Sequence, residues 1–348
     1  MKKTIKKCIL CFVLITFVFI LCSCEKKSAA MKNDYFVLVN KYSQLPDYWE
    51  DNLELVDAKN AWDEDIKVEK KAYKQFVKLK KEVDKALKEY NTTIELDSVY
   101  RSVKAQQELW DDWSNDPEKG IDYVKKFVAV PGFSEHHTGL AIDICLKKDG
   151  ELIYDNDKMI EEREIFSIIH SKLSKYGFIL RYLENREDST GYTYEPWHFR
   201  YIGDKKVSKK IMEENITYEE YLNSIDDLTS NLEACKYKIE NMLSDKIINY
   251  MYKDKVKNVR YNIKKIYTYK DSDIDDSIKS LKIDKNDVAF EVEYQMEPTD
   301  ESYIKDLTVT SGIYDKKIGW ITDINLVGIL RYNEKNNKYI LDHLGTYW

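Results

Sequence analysis

The sequence predicts an α+β fold built in two parts, and three observations carry that prediction. Helical periodicities and short strands interleave between about residues 66 and 202. Beyond about Ser224 the pattern changes to one amphipathic helix followed by four long strand-like runs. The length of 348 residues leaves room for about two domains at roughly 150 residues each.

The elements follow in order. Ala72, Phe76, Leu79, Val83, Ala86 and Tyr90 recur at steps of four and three among lysines, which predicts a helix over about 66–90. Residues 93–99 alternate as a short strand and 103–113 read as a second helix. A brief apolar strand at 140–145 is interrupted by Asp143. Residues 161–176 read as a helix, with Gly177 where a C-terminal glycine cap belongs. Residues 178–182 and 197–202 read as strands. In the second part, Leu228, Leu232, Cys235, Ile239 and Met242 predict a helix that runs to about Tyr252. Strands are expected at 259–269, 288–296, 318–332 and 338–348, the last two forming a hairpin around the polar turn 333–337. A small cone-shaped sheet with a helix, like that of nuclear transport factor two, is the expected form of this second part.

Composition narrows the function classes. Charged residues make up 34% and hydrophobic residues 43%, which suits a globular chain. With 27 Tyr, 11 Phe and 7 Trp there is ample core material, which argues against disorder. The net charge of −7 argues against nucleic-acid binding, which needs a basic surface. A single long apolar run excludes a polytopic membrane protein.

That run is an address. Lys2, Lys3, Lys6 and Lys7 precede an apolar stretch from Cys8 to Cys22, shorter than the ~20 residues a membrane span needs. The stretch ends Leu21-Cys22-Ser23-Cys24, which resembles a bacterial lipobox with Cys24 as the lipidated residue. The expected organisation is a lipoprotein signal peptide at 1–23, a tether at 24–36, one domain at 37–223 and a second at 224–348. Two acyl chains at Cys24 would anchor the mature chain stably to a membrane, outside the cytoplasm. Of six cysteines, only Cys145 and Cys235 then remain free of signal or lipid. Both lie among apolar residues and are expected as buried thiols; a disulfide between them is open to an exported protein but not required.

The five histidines are informative. His136 and Asp143 lie in Ser134-Glu135-His136-His137-Thr138-Gly139-Leu140-Ala141-Ile142-Asp143, where Gly139 permits a tight turn. A carboxylate inside an apolar strand is unfavourable unless paired or metal-bound. A third imidazole lies in Glu195-Pro196-Trp197-His198-Phe199-Arg200. Two His and one Asp make a three-ligand zinc set with a fourth position open, and Glu195 remains as a general base. In a regular strand Glu195 and His198 would point to opposite faces, so a bend at Pro196 is expected. A third motif, Ser98-Val99-Tyr100-Arg101-Ser102 with Gln106 following, places an arginine at a strand-to-helix junction, where it could clamp a carboxylate or an oxyanion. His137 is expected as a loop or supporting residue, Trp197 as a packing wall, and Arg181 and Arg200 as structural ion pairs or readers of substrate carboxylates.

These motifs resemble the VanY-type D-alanyl-D-alanine carboxypeptidases, a zinc-peptidase family with an S-x-H-x-x-G-x-A-x-D motif. The resemblance runs from about Leu38 to Leu222. It includes Leu38-Val39-Asn40-Lys41 with Leu45-Pro46, Tyr100-Arg101-Ser102, Pro131-Gly132-Phe133-Ser134-Glu135-His136, Gly177-Phe178-Ile179-Leu180-Arg181-Tyr182, Gly191-Tyr192-Thr193-Tyr194-Glu195-Pro196-Trp197-His198, and Tyr218-Glu219-Glu220-Tyr221-Leu222. It implies a compact zinc-peptidase domain with a small antiparallel sheet, one Zn²⁺ on His136, Asp143 and His198, and Glu195 as base. It implies Arg101 as the group that binds substrate and oxyanion, with Gln106 and Ser134 as supporting residues or further substrate contacts. The implied substrate is the peptidoglycan stem pentapeptide, whose terminal D-Ala is removed. Two alternatives are an L,D-carboxypeptidase acting on tetrapeptide stems and a non-catalytic wall-binding lipoprotein. The chain departs from the family pattern at Leu183 and around 184–189, a loop expected to border the cleft and to bear on substrate preference.

Overall fold

The structure is a computed structural model that describes residues 35–116, 124, 128–271, 278, 282–308 and 312–345. The described residues, from Tyr35 onward, form one compact unit. The expected signal peptide, Cys24 and most of the tether lie outside the described residues. Among the described residues no helix is long and apolar enough to cross a membrane.

Strands β1 (Leu55–Lys59) and β2 (Asp65–Glu69) pair antiparallel as a hairpin. Helix α1 (Lys70–Ala86) follows at once and buries Ala72, Phe76, Leu79 and Val83 of the predicted stripe; Ala86 is exposed and Tyr90 falls in a separate 3₁₀ turn, so the helix ends before the expected residue 90. Its start differs from the expected one. Ile66 to Glu69 are held as strand by pairing with Ala58 to Leu55, and the Glu69 carboxylate accepts from the amides of Lys71 and Ala72, capping the helix there. Next come β3 (Thr92–Leu96), α2 (Val103–Ser114), β4 (Ala141–Lys148) and β5 (Glu151–Ile153). Then follow α3 (Asn156–Glu161), α4 (Arg163–Leu173), β6 (Phe178–Leu180), α5 (Glu187–Thr190) and β7 (His198–Tyr201). Gly177 caps the α4 region with φ of +82°, as its position predicts.

Strands β3, β4, β7 and β6 lie side by side in that order, with β5 also on β4, and every pairing is antiparallel. Along β4, Ile142, Ile144 and Leu146 turn into the main core with Phe76, Leu79 and Phe199. The alternation of a strand sends Asp143 to the opposite face. Asp143 pairs in register with His198 of β7.

After α6 (Lys205–Glu214) and α7 (Tyr218–Asn223) the chain enters α8 (Leu232–Lys246), capped by the Asn231 side chain and ending in a π-turn at Ile247–Met251. Leu228 lies before this cap rather than in the helix, yet is buried in the same core. Strands β8 (Val256–Thr268), β9 (Val288–Pro298), β10 (Ile313–Asp315), β11 (Trp320–Asn333) and β12 (Lys338–Gly345) make the second sheet, with α9 (Ile304–Leu307) between β9 and β10. Both β10 and β12 pair with β11, β11 with β9, and β9 with β8; the β11–β12 hairpin is the predicted one.

The two sheets share packing. Leu38, Ile179, Ile202 and Tyr218 lie in one core with Ile239, Val259, Phe290 and Val292. Ser43 forms a parallel bridge to Tyr261, with Tyr261 N donating to Tyr42 O at 2.7 Å and Gln44 N to Tyr261 O at 2.9 Å. The segment after Leu38 thus extends the edge of the second sheet at β8. Cys145 and Cys235 are both buried free thiols.

Candidate active site

Three turns deliver the site. The stretch from Asp97 to Arg101 leaves β3 and is tied to its neighbours by Asp143 N to Ser98 O at 2.8 Å and Arg101 N to His136 O at 3.2 Å. A single 3₁₀ turn, Glu135–Thr138, then closes on Gly139 at φ of +70°, a conformation favouring glycine, before β4 begins. A turn at Pro196, closed by His198 N to Glu195 O at 3.2 Å, leads into β7. This is the bend expected at Pro196, and it leaves Glu195 Oε2 3.5 Å from His198 Nδ1.

His136, Asp143 and His198 converge, with their ligand atoms all within 4.8 Å of one another. His136 Nδ1 lies 2.7 Å from the Val99 carbonyl, which can only accept, so the proton sits on Nδ1 and the lone pair on Nε2. That Nε2 faces Asp143 Oδ2 at 3.2 Å. His198 Nε2 faces the Glu135 carboxylate at 3.0 Å, and its Nδ1 faces Asp143 Oδ1 at 2.9 Å. Asp143 Oδ1 is buried and makes no aligned hydrogen bond. When both rings donate outward, two imidazole lone pairs and a carboxylate oxygen point at one small volume. Such a convergence repels itself unless a cation occupies it, and N₂O is a donor set that suits zinc. The residues therefore fit the metal.

The surrounding field agrees. Burial opposes charge on His198, but Asp143 outweighs it and raises the imidazole to about 10. A divalent cation would take the place of that proton. Burial is outweighed at Asp143 too, where His136 and His198 hold the carboxyl well below its usual range. Behind the rings, Glu135 Oε1 accepts from Arg181 Nε and Arg200 Nη1, both at 2.8 Å, and Arg181 forks onto Glu219. All four side chains are essentially inaccessible. Arg181 and Arg200 are thus structural ion pairs rather than readers of substrate.

A cleft of roughly 260 Å³ opens over the three ligands, and Arg101, Gln106, Ser134, Glu195 and Trp197 all line it. Burial raises the Glu195 carboxyl to about 7. Arg101 Nη1 donates to Gln106 Oε1 at 2.9 Å and Nη2 to Ser98 Oγ at 3.1 Å. Gln106 Nε2 in turn donates to Ala129 O at 2.7 Å. Gln106 therefore aims the guanidinium while itself facing the cleft. Every residue expected at the site reaches this one cleft. His137 does not: Nδ1 meets Arg101 O at 2.7 Å and Nε2 accepts from Gly132 N, so it braces the loop.

The sequence reading missed four residues. Glu135 lies inside a quoted motif, but its direction depends on the 3₁₀ turn. Asp97, raised to about 6 by burial and by Asp143, precedes the Ser98 motif. Tyr182 and Tyr192 line the cleft in contact with each other, ring centroids 4.8 Å apart. Residues 183–189, expected at the cleft border, are absent from its lining; Leu183 turns into the core instead.

The VanY family description, D-alanyl-D-alanine carboxypeptidase, matches residues 65–204. A protein of Enterococcus gallinarum named bifunctional D-Ala-D-Ala dipeptidase and D-Ala-D-Ala carboxypeptidase VanXYC is 44% identical over 130 residues, 37% of this chain and 65% of its own length. The putative carboxypeptidase YodJ of Bacillus subtilis is 36% identical over 191 residues, 54% of this chain and 67% of that protein. The chain belongs to the VanY family. Among solved structures, the LdcB LD-carboxypeptidase is 33% identical with a TM-score of 0.46, covering 54% of this chain and 85% of its own. A vancomycin-resistance D,D-pentapeptidase VanY solved with Zn(II) is 26% identical with a TM-score of 0.43, covering 55% of this chain and all of its own. The residues matched to VanY hold all three candidate metal ligands, Glu195 and Arg101; residues beyond 204 fall outside that match.

Proposed function

We propose that this VanY-family chain is a zinc-dependent D-alanyl-D-alanine carboxypeptidase that removes the terminal D-Ala from peptidoglycan stem pentapeptides. The observation that carries the reading is the inward convergence of two histidine lone pairs and Asp143 beneath Glu195. His136, Asp143 and His198 would hold one Zn²⁺. When bound, zinc polarises the scissile carbonyl and lowers the pKa of water in the cleft.

The remaining work belongs to the chain's own side chains. Glu195 accepts the proton of the attacking water and later delivers it to the leaving amine. Its pKa of about 7, set by burial, suits both transfers near neutral pH. Arg101, fixed by Gln106 and Ser98, binds the substrate and the charge that develops on the carbonyl oxygen. Ser134 and Gln106 supply polar contacts along the cleft floor. The lipobox-like Leu21-Cys22-Ser23-Cys24 supports a site of action outside the cytoplasm, with Cys24 carrying the lipid anchor.

The test uses the chain lacking residues 1–24, loaded with zinc and given purified penta- and tetrapeptide stems with and without chelator. Chelator-sensitive loss of one alanine from the pentapeptide alone is the expected result. Loss from the tetrapeptide would replace it with L,D-cleavage. Zinc binding without cleavage of either would leave the wall-binding alternative.

A further inference from the structure

The second sheet connects to the wall of the cleft through Lys41. Lys41 Nζ lies 4.5 Å from the centroid of the Tyr192 ring, and Tyr192 lines the cleft with Tyr182 and Glu195. The Lys41 carbonyl accepts from Arg260 Nε of β8 at 3.1 Å. The Arg260 guanidinium lies 3.8 Å from the Trp320 ring centroid of β11 and 5.0 Å from that of Phe133, the residue before Ser134. Lys41 is half-buried and Arg260 is 7% exposed.

Neither cation is held in a close ion pair: Glu195 acts on Lys41, and Glu297 on Arg260, only through the longer-range field. Among the described residues, no carboxylate lies within ion-pair distance of Lys41 or of Arg260, and Arg260 Nη1 is buried without a hydrogen-bond partner. Burial and the neighbouring Arg260 both lower the Lys41 pKa, while Glu195 raises it. Burial lowers Arg260 to about 10, against the pull of Glu297 and the Tyr192 and Tyr42 hydroxyls. The Arg260 charge acts unfavourably on that of Lys41, and an anion between them would relieve it. The aromatic faces of Tyr192 and Trp320 offset part of that repulsion, but supply no charge of opposite sign.

We propose that Lys41, backed by Arg260 of the second sheet, forms a subsite for a second carboxylate of the stem peptide, upstream of the scissile bond. The inference rests on the proposed function, in which Arg101 serves the reacting end. Arg101 and Lys41 come from different segments, one before α2 and one beside Tyr192. Arg101 lines the cleft itself, whereas Lys41 adjoins it through the Tyr192 ring that forms part of its wall, where an upstream part of the peptide would pass. On this reading the second sheet is part of the substrate-binding apparatus. It sets the position of Lys41 through the Arg260 bond and the Ser43–Tyr261 bridge.

The experiment uses the zinc-loaded protein and two peptides with identical D-Ala-D-Ala ends, one with an upstream carboxylate and one with a carboxamide in its place. Wild-type protein is expected to favour the carboxylate peptide about tenfold in kcat/KM. Lys41→Gln should erase that preference by raising KM for the carboxylate peptide alone, with kcat kept, and Lys41→Arg should restore part of it. Arg260→Gln should weaken the preference, and its melting temperature reports whether the fold survives. Equal preference in wild type and Lys41→Gln would overturn the subsite alone. So would an equal fall of kcat on both peptides, which would place Lys41 in the service of Glu195. Cleavage of neither peptide by the wild type would overturn the proposed function, and the subsite with it.

Discussion

Glu135 Oε2 stands 3.0 Å from Nε2 of His198, on the side of the ring away from Asp143. The same carboxylate neutralises Arg181 and Arg200. One buried side chain therefore decides which nitrogen of His198 is bare and keeps two arginines satisfied. Glu135→Gln should fold but bind zinc about 10–100-fold more weakly, as losing such a partner usually does. Competition against a chelator of known affinity measures this, and unchanged affinity would show that Glu135 serves only the arginines.

Glu195 touches the ligand cluster only through His198 Nδ1, at 3.5 Å. Its removal should spare metal binding and stop turnover. Glu195→Gln is expected to keep one zinc per chain and to lose about 10²–10⁴ in kcat. Turnover at the wild-type rate would assign the base elsewhere, with Asp97 the next carboxyl in the cleft.

Zinc should stabilise the native chain, because the convergent ligands exist only when β4 and β7 are paired. At free zinc about 100-fold above Kd, stabilisation of about 2.7 kcal/mol is expected. A chelator should abolish the corresponding rise in melting temperature. In His198→Ala no zinc-dependent rise should appear, and an undiminished one would mean that the metal binds elsewhere.

Glu240 of α8 is buried beneath Ser43, whose hydroxyl donates to it. Burial is the main cause that raises its carboxyl from 4.5 to about 8. The folded chain thus keeps a proton that the unfolded chain releases near pH 4.5. Its contribution to stability is full below about 4.5 and is lost as pH rises to about 8. Glu240→Gln should match the wild type in urea midpoint at pH 5 and exceed it at pH 8.5. A variant less stable at both would show instead that the carboxylate itself is needed.

The helices α2 and α4, the β11–β12 hairpin and the bend at Pro196 were legible because each follows from neighbours within about four residues. The start of α1 was not. The helical stripe runs on through Ile66, but pairing of β2 with β1 holds Ile66 to Glu69 extended, and that partner strand has no strong pattern of its own. Glu135 was visible as a letter in a motif, while its role depended on a turn that aims it at His198 from beneath. Leu183 broke the expected pattern in the sequence but lies in the core.

By itself, the sequence determined the chemistry: which imidazoles and carboxylates exist, in which motifs, and with which turn residues between them. Those properties are carried by residue type and short-range backbone preference. Only the tertiary structure decided which atoms face one another. Asp143 meets His198 because β4 pairs with β7 in that register, and Lys41 meets Tyr192 and Arg260 because the chain after Leu38 bridges to Tyr261. Such contacts join residues far apart in the chain, and shared burial selects them in a way that no local periodicity encodes.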